Sequence, residues 1–183
     1  LQPILHRVSL TESPTIRMHQ DTNPEDIDLN PAAANASPKT SGTEEKGYLW
    51  CLDNGHGKLT EGKQSPVFDD GFTRFFEYEF NRDIVRRIAE KLDALQIAYF
   101  IVVPEIETGN LLEERVNRAN NYSSDLPKLF VSVHANAGPV KNFDKDWSTA
   151  SGIETWYHHN SEQGQKMAAI FQDALIRKTG WKD

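Results

Sequence analysis

From Gly47 onward the apolar residues fall into two rhythms. "YLWCLD" (48–53) is a short, unbroken apolar run that stops at Asn54-Gly55-His56-Gly57, the pattern of a buried strand running into a turn. "EYEFNRDIVRRIAEKLDAL" (77–95) instead places Phe80, Ile84, Ile88, Leu92 and Leu95 at helical spacing, with Val85 and Ala89 beside them and charges opposite. "IAYFIVV" (97–103) returns to a continuous β-type run and is stopped by Pro104. "NLLEERVNRANNY" (110–122) reads as a shorter helix carrying Leu112, Val116 and Ala119. "KLFVSVHANAG" (128–138) is a second strand that ends on a histidine, and "GIETWYHH" (152–159) reads as an edge strand. The last helix starts at Ser161, an N-cap residue, carries Met167, Ile170, Phe171, Ala174 and Leu175, and stops at Gly180 as C-cap.

The resulting order, β-α-β-α-β-β-α, predicts an α/β fold: three layers, with a mainly parallel or mixed sheet and helices on both faces. In such sheets ligands bind off the carboxyl ends of the strands. His56 and His134 each lie at the carboxyl end of a predicted strand, so neighbouring strands would bring both imidazoles to one rim.

Residues 1–46 have a different texture. They hold five of the nine prolines, and "NPAAANASPKTSGTEEKG" is too polar to offset its ordering entropy. Residues 1–46 are therefore expected to be a flexible segment, with Asn23–Gly47 a linker and "ILHRVSL" a short strand for a neighbouring domain. The domain proper is placed at 47–183. The chain begins at Leu1 without a basic-then-apolar leader, as an excised or processed piece would.

Composition narrows the function. A net charge of −7 argues against nucleic-acid binding, and no apolar run approaches the roughly 18–20 residues that span a bilayer. Cys51 is the only cysteine, so neither an internal disulfide nor a cysteine zinc finger can form; its place in an apolar run favours a buried strand residue over a catalytic thiol.

Three residues carry candidate chemistry: His56, Glu77 at the start of the long helix, and His134. Two imidazoles and one carboxylate with an open fourth position suit a hydrolytic zinc site. Each also has an ordinary reading: a loop histidine, a carboxylate complementing a helix dipole, a capped strand end. No compact motif such as H-E-x-x-H decides between them. His158 and His159 would point to opposite faces of a strand and read as exposed strand-end residues. Asp69–Asp70 and Glu113–Glu114 read as solvated charges. Trp147 and Trp156 fit core or hinge packing at least as well as the lining of a substrate groove.

"LDNGHG" (52–57), "EYEFN" (77–81) and "VSVHANA" (131–137), in this order, resemble the zinc-dependent N-acetylmuramoyl-L-alanine amidases of the Amidase_3 type. "ERVNRANNY" and "SGIETWYHHNSEQGQKMAAIFQDAL" are similar to the stretches that flank the family's second histidine, so the resemblance covers about 47–183. It implies an amidase/phosphorylase-hydrolase-like fold, a single Zn2+, and cleavage in peptidoglycan of the amide between the lactyl group of N-acetylmuramic acid and L-alanine. It also implies action at the cell envelope or outside the cell, in the periplasm or cell wall, or a phage-encoded enzyme. By position His56, Glu77 and His134 match the zinc ligands; Glu77 rather than Glu79 matches because it lies four residues before Asn81.

The chain departs from the family at Asn54, where proline is usual, at Lys58, often glycine, and in the loop "KLTEGKQSPVFDDGFTRFF", which is closer to a phage or prophage branch. The family's catalytic glutamate, in a "Pro-Ala-Val-Leu-x-Glu" strand, has no match and is expected after Asp183, with the C-terminal strand and helix missing. The 183-residue chain alone is then expected to have little activity. The competing functions are a non-catalytic peptidoglycan-binding or regulatory module and a zinc peptidase of other specificity.

Overall fold

The computed structural model describes residues 47–142 and 145–181 in full and residues 4–9 by their backbone. The elements are β1 (Ile4–Ser9), β2 (Leu49–Asn54), α1 (Glu77–Ala94), β3 (Tyr99–Ile101), α2 (Leu112–Asn121), β4 (Lys128–Asn136), β5 (Gly152–Thr155) and α3 (Glu162–Thr179). They build one five-stranded sheet in the order β3-β2-β4-β1-β5. β2 is parallel to both β3 and β4, β1 is parallel to β4, and only β5 runs antiparallel.

Helices cover both faces, as the alternating pattern requires. On one face Leu52, Leu129, Val131 and Val133 of the sheet bury Val85, Ala89 and Leu92 of α1, with Met167 and Phe171 of α3 against the same cluster. On the other, Leu49, Cys51, Phe100, Val102 and Val103 pack with Ala119 of α2, and Phe100 stacks on Tyr122 with ring centroids 4.1 Å apart. Each valine, leucine or phenylalanine fully removed from water this way contributes roughly 1.5–3 kcal/mol. α3 begins where Ser161 accepts a hydrogen bond from Gly164 N and ends at Gly180, whose φ of 69° is left-handed.

Several expectations need correction. The "IAYFIVV" strand shrinks to Tyr99–Ile101, and "GIETWYHH" pairs only over Gly152–Thr155. His158 and His159 therefore lie in a turn, their rings stacked 4.5 Å apart, and the alternation of a strand does not apply to them. Leu95, Leu112 and Ile170 are exposed: Leu95 caps α1 after its last turn, and Leu112 opens α2 before the helix reaches the sheet. "ILHRVS" does form a strand, but it pairs within this sheet, between β4 and β5. The stretch read as a linker lies, up to residue 46, outside the described residues.

Candidate metal centre

β2 and β4 are parallel neighbours, with Asn54 opposite Val133. The chain continues from Asn54 through Gly55 to His56, and Gly55 N donates to Val133 O at 3.0 Å. That single register places His56 beside His134. The two imidazoles meet edge to face with ring centroids 4.7 Å apart. Glu77, the first residue of α1, reaches both: its Oε1 lies 3.4 Å from His56 Nε2 and 2.9 Å from His134 Nδ1. One ligand atom from each residue falls within 4.8 Å of the other two.

This geometry fits a metal ion. Ligand atoms at about 2.0–2.1 Å from a tetrahedral Zn2+ lie about 3.4 Å from one another, close to the two distances found. Two neutral nitrogens and one carboxylate also form the donor set of a catalytic rather than a structural zinc site. His56 and Glu77 are buried, while His134 is partly exposed, so the cluster opens to solvent on one side. Burial pushes the Glu77 carboxyl up; hydrogen bonds and charge from His134 and His56 outweigh it and hold the group down at about 2.

The glycines framing His56 act by closeness. A Cβ on Gly55 would collide with the His134 imidazole, and one on Gly57 with the Thr108 carbonyl. The left-handed backbone falls on His56 itself, with φ 63°. Such a conformation in a non-glycine residue needs outside support. The support is two arginines that donate to His56 O: Arg115 Nη2 at 2.9 Å and Arg82 Nη1 at 3.1 Å. Asn81 Nδ2 holds the preceding Gly55 O at 2.8 Å. Arg115 also pairs with Asp53, which accepts a bond from Ser132 Oγ at 2.5 Å. Arg82 donates to Glu105 O at 2.6 Å as well; burial, then the Arg115 charge, lowers its guanidinium to about 10, so it stays cationic at neutral pH.

The sequence pattern nominates none of Asp53, Arg82, Asn110, Arg115 or Ser132, and marks Asn81 only as the reference for Glu77. A signal existed for some: Arg115 shares the Ala119 face of α2, and Arg82 and Asn81 share the Val85 and Ala89 face of α1, so each is polar within an apolar stripe. The other candidates sit elsewhere. Cys51 is fully buried in the core and its thiol is pushed up to about 11. Asp70 accepts backbone bonds from Phe72 and Thr73 within its loop. Glu114 pairs with Arg118 on the surface. Trp147 packs on Phe68 with centroids 5.2 Å apart, and Trp156 donates to Glu154; both tryptophans are half exposed, which excludes core packing.

The carboxyl rim of this sheet thus carries a His-Glu-His cluster that could hold a metal ion. Residues 51–183 match the Amidase_3 family, described as N-acetylmuramoyl-L-alanine amidase, and the chain belongs to that family. It is 31% identical over 134 residues to N-acetylmuramoyl-L-alanine amidase LytC of Bacillus subtilis (strain 168), covering 72% of this chain and 23% of LytC. It is 30% identical over 139 residues to the endolysin of Bacillus phage SPP1, covering 74% of this chain and 45% of the endolysin. The chain thus spans less than half the length of these two relatives. The crystal structure of the N-acetylmuramyl-L-alanine amidase Ami1 from Mycobacterium smegmatis aligns with a TM-score of 0.40 and 25% identity over 53% of this chain and 50% of that one. Among the described residues no helix is long and apolar enough to cross a membrane.

Proposed function

We propose that this domain hydrolyses the amide between N-acetylmuramic acid and L-alanine in peptidoglycan, with one Zn2+ held by His56, Glu77 and His134. The observation that carries the reading is the convergence of those three ligand atoms at the sheet rim in a chain of the amidase family. The ion would supply Lewis-acid polarisation of the amide carbonyl and a water activated near neutral pH. The protein's own part is to hold the donors. The β2–β4 register fixes the spacing of the imidazoles, and α1 delivers a carboxylate already ionised at neutral pH. The open flank at His134 admits the polymer. Action on peptidoglycan places the protein at the cell envelope, as a wall-remodelling or a phage-encoded enzyme.

The test is elemental analysis followed by digestion of purified peptidoglycan with the full-length protein. One zinc per chain is expected, lost in His134→Ala, and digestion should release new L-alanine amino termini without new reducing ends. Absence of zinc from carefully prepared native protein would overturn the metal assignment. Zinc-loaded protein that pulls down with peptidoglycan but releases no amine would show a wall-binding module instead. Amine release from unrelated peptides but not from peptidoglycan would show a peptidase.

A further inference from the structure

We propose that Asn110 is a positioning residue for His56, selecting the ring nitrogen that faces the metal; the inference rests on the zinc assignment above. His56 Nε2 is the atom that faces Glu77. A neutral imidazole that gives Nε2 to a metal carries its proton on Nδ1, and that N–H needs an acceptor. The group opposite is Asn110 Oδ1, 2.8 Å from His56 Nδ1 and fifty-four residues away in sequence. With Nε2 committed, Nδ1–H must donate, so the amide oxygen rather than the amide nitrogen faces the ring.

The placement of Asn110 is built, not incidental. The next residue, Leu111, is one of three non-glycine residues with positive φ among those described, at 48°. It sits at the N-cap of α2, where the left-handed turn swings Asn110 back toward the His56 turn. Arg115, one turn into α2, locks both sides of the contact: its Nε donates to Asn110 O at 2.7 Å and its Nη2 to His56 O at 2.9 Å. One buried guanidinium therefore fixes the distance between the segment that carries the histidine and the segment that carries its partner. Backbone strain at Leu111 is maintained at the point where it serves this contact. Asn110 itself is exposed, so its side chain contributes orientation rather than core packing.

The experiment is zinc affinity by competition with a chromophoric chelator in wild type, Asn110→Ala and Asn110→Asp, beside urea denaturation of the metal-free proteins. Asn110→Ala should bind zinc about 10–100-fold more weakly, the usual effect of removing a histidine's outer partner. Asn110→Asp keeps an acceptor and should restore wild-type affinity or exceed it. The metal-free denaturation midpoints should coincide, which a merely structural role would not give. Wild type and Asn110→Ala binding zinc within twofold of each other would overturn the proposal while leaving the zinc site standing. Equal weakening in Asn110→Asp would overturn it too. Failure of wild type to bind zinc at all would instead remove the reading on which it rests.

Discussion

Arg115 and Asp53 form an ion pair that is almost wholly withdrawn from solvent, each side chain 4% exposed. Burying two charges is costly, and such a pair holds only where its remaining donors and acceptors are met. Here they are. Arg115 also reaches the carbonyls of His56 and Asn110, and Asp53 accepts from Ser132. The pair sits directly beneath the turn that carries His56, so it links the sheet, α2 and the candidate metal centre.

Replacing Arg115 by Met leaves the Asp53 charge buried without its partner. The expected loss is about 3–5 kcal/mol in urea denaturation. Asp53→Ala combined with Arg115→Met should lose less than the two single changes added together, because the second removal abolishes the stranded charge. Additive losses would show that the two groups are not energetically coupled.

Gly55→Ala tests the packing of the turn against β4. The new Cβ meets the His134 ring on several atoms, so either the ring or the turn must move. Zinc affinity should fall at least about tenfold, comparable to loss of a supporting partner. Gly62→Ala, at a site with φ 72° and open space, is the control: it strains the backbone but leaves the metal centre untouched. An unchanged affinity in Gly55→Ala would refute the close-approach argument.

Cys51 predicts an alkaline limb of stability. Burial, partly opposed by Lys128, raises its thiol from 9.0 to about 11 in the fold. The unfolded chain releases that proton first, so the stabilising contribution is whole below about pH 9 and is lost as pH rises through about 11. It is at most about 3 kcal/mol for a shift of this size. Chemical denaturation from pH 8 to 11 should show a shallower decline in Cys51→Ala than in wild type. Native protein should also resist thiol alkylation at pH 7.5; rapid labelling would mean the β2 face opens.

Ser161→Ala removes the acceptor for Gly164 N at the start of α3. The change should lower stability by about 1 kcal/mol without altering zinc stoichiometry. A coincident loss of zinc would mean that α3 is coupled to the candidate metal centre more tightly than its packing beside α1 through Met167 and Phe171 implies.

The sequence alone determined the two-rhythm pattern, and with it the α/β class, the caps of α3 and the burial of Cys51. These follow from local backbone preference and from solvent-averse side chains, both of which leave a periodic mark. It also nominated His56, Glu77 and His134 as candidates, but spacing left each with an ordinary reading, and their match to zinc ligands came from the resemblance of "LDNGHG", "EYEFN" and "VSVHANA" to the amidase family. Only the tertiary structure decided that these three meet, since their convergence depends on β2 and β4 being neighbours in a particular register. Likewise, the strand ends shortened where Pro104 and the His158 turn leave the ladder, and β1 found its place between β4 and β5 through pairing that carries no local signature. The brace of Asp53, Arg82, Asn110 and Arg115 was the least legible part. Such polar partners are fixed by geometry across more than twenty residues of chain, and a one-dimensional pattern records their polarity but not whom they face.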